Sequence, residues 1–134
     1  MSNSAKAIIF DKDERILVLY RSDTHPRHAH NLDFPGGVIE NGELPNVAVS
    51  REIYEETQLK VPANKLELVN TNNPRIGSTQ MIFTHSLGEA SPKIEISWEH
   101  ESYEWLAVDE FMAKSIPINA DIYHHIVFDH LKSN

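Results

Sequence analysis

The sequence predicts an α+β fold in which a mixed β-sheet lies between helices, and three observations carry that expectation. Apolar runs of strand length recur along the 134 residues. Helices are expected after residue 45 and in the C-terminal tail. Strands and helices do not alternate as regular βαβ units. The length suits one domain over residues 1–134, with a single core.

Ala5 to Phe10 and Ile16 to Arg21 read as strands joined by the polar turn Asp11-Lys12-Asp13-Glu14. Residues 22–33 are polar, rich in His and Asp, and contain Pro26, which predicts a loop. Phe34 leads into a turn at Pro35-Gly36-Gly37, then the short apolar step Val38-Ile39 and a second turn at Asn41-Gly42. A helix is expected from Pro45 to Gln58, proline being well suited to a first helical turn where its missing N–H is not needed. Leu66 to Asn70, Gln80 to Ser86, Ile94-Glu95-Ile96 and Tyr103 to Val108 are the remaining strand candidates. Asp109 is expected to cap a short helix over Glu110 to Lys114, and a last helix spans Ala120 to Lys132.

Composition narrows the function classes. The formal charge is −8, from 20 acidic against 12 basic residues. Duplex nucleic acid is a poor partner for such a surface, because binding there depends on neutralising phosphates with Lys and Arg. A phosphorylated small molecule remains possible if divalent cations lie between it and the protein. No run approaches the ~18 apolar residues of a membrane span, and the N-terminus lacks the basic start and apolar stretch of a secretory signal. With no cysteine, thiolate zinc sites, disulfides and a cysteine nucleophile are excluded. A cytoplasmic location fits these features.

The chemistry concentrates between Gly37 and Leu59. On a helix, residues three and four apart share a face, so Glu52 lies beside Glu55 and Glu56. Like charges at that spacing cost about 0.2–0.5 kcal/mol each, and such a cluster is ordinarily a solvated acidic face. Two features point elsewhere. The apolar residues Val47, Ala48, Val49, Ile53, Tyr54 and Leu59 spread around the helix, which predicts burial on more than one side and hence a need for counter-charge. Directly upstream, Gly36-Gly37 permits close backbone approach to a ligand, with Glu40 and Glu43 just before the helix. Hard divalent cations such as Mg²⁺ favour carboxylate oxygens and leave positions open for water and phosphate. Arg51 is spaced to pair with Glu55.

These residues resemble a known signature. Gly37, five residues, Glu43, seven residues, then Arg51-Glu52-Ile53-Tyr54-Glu55-Glu56-Thr57-Gln58-Leu59 is similar to the box of the MutT-like Nudix hydrolase family. Every fixed position of the box is present except its last glycine, which is Gln58. Glu99 to Leu106 is similar to a segment that often precedes the last strand in that family. The resemblance implies a Nudix α/β/α sandwich and a metal-dependent hydrolase that cleaves the diphosphate linkage of a nucleoside diphosphate derivative.

Carried over residue by residue, the resemblance makes Glu52, Glu55 and Glu56 the main ligands of Mg²⁺ or Mn²⁺, with Glu40 and the carbonyl of Gly36 or Gly37 completing further sites. It makes Arg51 and Glu43 a structural pair holding loop to helix, and Glu56, Glu99 and Glu101 the candidate general bases. Arg21 and Arg27 are expected to bind substrate phosphate, and homodimers are common in the family. His25, His28 and His30 form a second, weaker metal-like spacing. A non-catalytic nucleotide sensor on the same fold is the alternative. Such domains usually lose the helix carboxylates, and all three are present here. An isomerase of the same fold would need a catalytic cysteine. At the box's last position, glutamine is expected to cost about 1 kcal/mol or to change how the chain leaves the helix.

Overall fold

A computed structural model describes residues 3–24 and 29–133. The strands are β1 (Ser4–Phe10), β2 (Ile16–Arg21), β3 (Leu32–Asp33), β4 (Gly36–Val38), β5 (Glu67–Asn72), β6 (Gln80–Ser86) and β7 (His100–Leu106). The helices are α1 (Pro45–Thr57), α2 (Val108–Ala113) and α3 (Ala120–Lys132). All seven strands form one mixed sheet, with the order β3-β2-β1-β6-β5, β4 paired to β1, and β7 paired to β2. The β1–β6 pairing is parallel and the others are antiparallel.

Period-two alternation along the strands sends side chains to opposite faces and builds two cores. On one face Ile8, Phe10, Ile16, Val18 and Ile82 pack with Phe111 of α2 and Tyr123, Ile126 and Val127 of α3. On the other, Ala5, Ala7, Ile9, Leu17, Leu19 and Phe83 pack with Val49 and Ile53 of α1. The result is the expected α/β/α sandwich.

The arrangement that positions the site is a fork in the sheet. β1 and β2 are register partners only at Phe10 and Ile16, beside their turn. Asp11 secures that turn, its Oδ1 accepting the N–H groups of Asp13 and Arg15 at 2.9 and 2.8 Å. Beyond the turn the two strands diverge, and the segment from Leu32 to Val38 fills the gap. Its first half, β3, pairs with β2, and its second half, β4, pairs with β1. Asp33 to Gly37 is thereby inserted into the middle of the sheet.

Several local expectations are corrected. Gly36-Gly37 is strand rather than turn, with Lys6 opposite Gly36 and Ala5 opposite Gly37. Gly36 has φ 142°, and a Cβ there would lie 2.1 Å from the Ala5 carbonyl oxygen, so only glycine lets these two chains approach. Ile94 is buried, but Ile94-Glu95-Ile96 joins no ladder. The short helix begins at Val108, one residue before Asp109, and the Glu110 carboxylate, rather than Asp109, accepts the Ala107 N–H at 2.9 Å. α1 is buried on one side only. Val47 and Tyr54 are exposed, whereas Ala48, Val49, Ile53, Glu56 and Thr57 face the sheet. Its acidic edge flanks that buried side, which is how Glu56 comes to be buried although the helix is not enclosed.

Candidate active site

α1 projects Glu52, Glu55 and Glu56 into a cavity of about 330 Å³ that is also lined by Gly36, Gly37, Val38, Glu99, His100, Lys6 and Asp33. Five carboxylates from three chain segments therefore line it. Glu56 is the deepest. Its Oε1 accepts the Gly36 N–H at 3.0 Å, so the helix is fastened to β4 at the base of the cavity. Gly37 stands against Glu52, and a Cβ on it would lie 3.0 Å from the Glu52 carboxylate.

Arg51 organises the rim. Its Nε donates to Glu43 Oε2 at 2.9 Å and its Nη2 to Glu43 Oε1 at 3.1 Å, a two-pronged pair joining helix to loop. Its Nη1 donates to Glu52 at 2.9 Å and reaches Glu55 at 3.3 Å. Glu40 lies outside the cavity lining, with its carboxylate 3.8 Å from Arg51. Its backbone N–H is held by Glu43 at 3.1 Å.

The two later glutamates part company. Ser22 pins the segment before β7, its N–H donating to the Glu99 carbonyl at 3.0 Å and its hydroxyl to the Trp98 carbonyl at 3.0 Å. Glu99 lines the cavity. Glu101 lies outside the cavity lining and pairs with His30 Nδ1 at 2.7 Å, while His30 Nε2 meets Asp23. Arg27, His25 and His28 lie outside the described residues. Arg21 lies at a smaller cleft of about 60 Å³ that adjoins the main cavity, since Lys6 and Asp33 line both. Leu32, Phe34, Gln80, Ile116, Pro117, Ile118 and Tyr123 complete that cleft.

Sequence reasoning missed Lys6, Asp33 and His100. Asp33 is buried, accepts from Lys6 Nζ at 3.1 Å, and is ion-paired with Arg21 Nε at 3.3 Å, with His100 Nε2 at 3.2 Å. The available signal was Lys6 itself, a lone charge inside the apolar strand Ala5 to Phe10.

Charge is distributed unevenly across this site. Burial pushes the Glu56 carboxyl up to about 9; Lys6 and the Gly36 N–H oppose that, and the neighbouring Asp33 and Glu52 charges add to it. Burial also raises Glu52, against the pull of Arg51 and with the push of Glu55 and Glu99. For Asp33 burial acts upward as well, but Lys6, His100 and Arg21 outweigh it and hold the carboxyl well below the usual range. An all-oxygen donor set, short of positive charge and open to solvent, fits a hard divalent cation such as Mg²⁺ or Mn²⁺. Glu52, Glu55, Glu56 and the Gly36–Gly37 backbone are the groups that could hold it.

Comparison with known proteins agrees with this geometry. The model of the NUDIX domain matches residues 2–126. A MutT-like protein of Streptomyces ambofaciens is 30% identical over 120 residues, covering 89% of this chain and 72% of the relative. An RNA pyrophosphohydrolase of Caulobacter vibrioides is 27% identical over 125 residues, and the match takes in 91% of this chain but only 64% of the relative's length. Among solved structures, the NUDIX domain of Shewanella oneidensis NrtR, complexed with ADP ribose, superposes with a TM-score of 0.77 at 19% identity, over 98% of this chain and 88% of that one. This last likeness concerns the fold alone. The chain belongs to the Nudix hydrolase family, whose chemistry is directed at diphosphate bonds. Among the described residues no helix is long and apolar enough to cross a membrane.

Proposed function

We propose that the chain acts as one domain that hydrolyses the diphosphate linkage of a nucleoside diphosphate derivative with the help of Mg²⁺ or Mn²⁺. The observation that carries this reading is the convergence of Glu52, Glu55, Glu56 and Glu99 on one cavity bounded by Gly36 and Gly37. Bound there, the cation supplies Lewis acidity toward phosphoryl oxygens and lowers the cost of ionising water. The protein's own groups do the rest. Arg51 and Glu43 hold the carboxylates of α1 in place, so little rearrangement is needed when a polyanion arrives. Glu99 is the general base. It enters the cavity on a segment held by Ser22, whereas Glu56 is committed to the Gly36 N–H and Glu101 to His30. The adjoining cleft of about 60 Å³ carries Arg21 on its wall and is too small for a nucleoside, so the moiety beyond the phosphates lies outside it.

The test is turnover of a panel of nucleoside diphosphate derivatives with and without Mg²⁺, products resolved by chromatography. Metal-dependent cleavage is expected, with Glu55→Gln reducing kcat by about 100-fold or more. Tight nucleotide binding with no cleavage of any panel member would instead make the domain a sensor.

A further inference from the structure

Among the described residues, Lys6 is the one lysine or arginine shared by the carboxylate cavity and the adjoining cleft. It projects from the middle of β1 opposite Gly36, and its side chain is only 14% exposed. An ammonium group has three donors. Two are given to Asp33 Oδ1 at 3.1 Å and the Phe34 carbonyl at 3.3 Å, and the third has no acceptor among the described residues. Buried donors are ordinarily satisfied. Asp33 needs no third cationic or imidazole partner for its own sake, because Arg21 and His100 already reach its other oxygen, at 3.3 and 3.2 Å. Lys6, Arg21 and His100 thus all reach Asp33 on the wall between the cavities.

We infer that Lys6 binds the substrate, its free N–H donating to a non-bridging oxygen of the diphosphate at the junction of the two cavities. This rests on the diphosphate reading above. A compact point charge on a flexible stem suits a phosphate that must be gripped from one side only. The polyanion then lies between a wall of carboxylates and a wall of cations. Lys6 sets where along the diphosphate the molecule is held.

The experiment uses the full chain and calorimetric titration with methylenediphosphonate, a diphosphate that cannot be hydrolysed, in the presence of Mg²⁺. Lys6→Met is expected to weaken its binding by about 10- to 100-fold and to raise substrate KM more than it lowers kcat. Mg²⁺ binding alone should be unchanged or tighter, because a nearby positive charge has been removed. Should Lys6→Met fail to fold, Lys6→Met/Asp33→Asn compared with Asp33→Asn alone isolates the same loss. Absence of binding by the wild type, or binding unaffected by Lys6→Met, overturns the inference. So does a parallel loss of Mg²⁺ and diphosphonate, which would make Lys6 a purely structural partner of Asp33. Lys6-dependent binding without turnover of any panel member would sink the proposed reaction and leave Lys6 in place. Turnover with KM unchanged in Lys6→Met would do the reverse.

Discussion

Gln58 ends α1 in the left-handed conformation, with φ 65° and ψ 9°, that glycine adopts without steric cost. The chain thus leaves the helix by the usual glycine route with the wrong residue for it. The Gln58 N–H donates to the Tyr54 carbonyl at 2.9 Å, and its side-chain amide adds a second contact at 3.3 Å. Part of the strain is offset in this way, and the direction of the carboxylate-bearing edge is preserved. Gln58→Gly should stabilise the protein by about 1 kcal/mol, measured by urea unfolding, and leave kcat within about twofold. A loss of stability would mean that the amide contact outweighs the strain. The carboxylates of α1 were legible because three- and four-residue spacing places them together on any helix. Glu99 and Glu101 were harder. Two residues apart, they would share a face of a continuous strand, but β7 begins only at His100, so Glu99 leaves the sheet and Glu101 stays on it.

At the scale of elements, the two neighbouring glycines of β4 serve different ends. Gly36 lies against the Ala5 backbone and has a φ that side chains rarely adopt, whereas Gly37 lies against the tip of the flexible Glu52 side chain. Gly36→Ala should therefore cost about 3 kcal/mol or more in unfolding free energy, because neither strand can give way. Gly37→Ala should remain folded within about 1 kcal/mol of the wild type and lose activity through displacement of the Glu52 carboxylate. If both variants lost stability equally, the distinction drawn here would fail. None of this was legible beforehand. The Gly-Gly pair was expected as a turn because the pairing that makes it a strand lies with residues some 30 positions away, at Ala5 and Lys6. The burial of Asp33 and its partners was hidden for the same reason.

For the whole molecule, two carboxyls pull stability in opposite directions with pH. Glu56 is raised to about 9 in the folded state. Its contribution is fully present below the ordinary carboxylate value and is lost as pH rises toward 9. Asp33 is depressed, so its contribution is present above the ordinary value and is lost only as pH falls well below it. Metal-free protein should therefore melt at its highest temperature in mildly acidic buffer and lose several degrees between about pH 5 and pH 9. Saturating Mg²⁺ should flatten that decline by compensating the ionised Glu56. Thermal melts in EDTA and in Mg²⁺ across this range give the answer, and parallel slopes would place the cation away from Glu56. The sandwich itself was legible from the order of apolar runs. Its fork was not, because divergence of two strands joined by a tight turn leaves no mark in either strand alone.

That fork also gives the sheet a seam. Within the sheet, β1 and β2 are register partners only beside their turn, and elsewhere the wedge from Leu32 to Val38 supplies the ladder between them. The main cavity touches this wedge at Asp33, Gly36, Gly37 and Val38, and α1 is tied to it through Glu56. An occupant of the cavity would act as a rivet across the join, resisting separation of the two halves. Pulled apart by force, the domain should part along this line, and a bound diphosphate should raise the load at which it does.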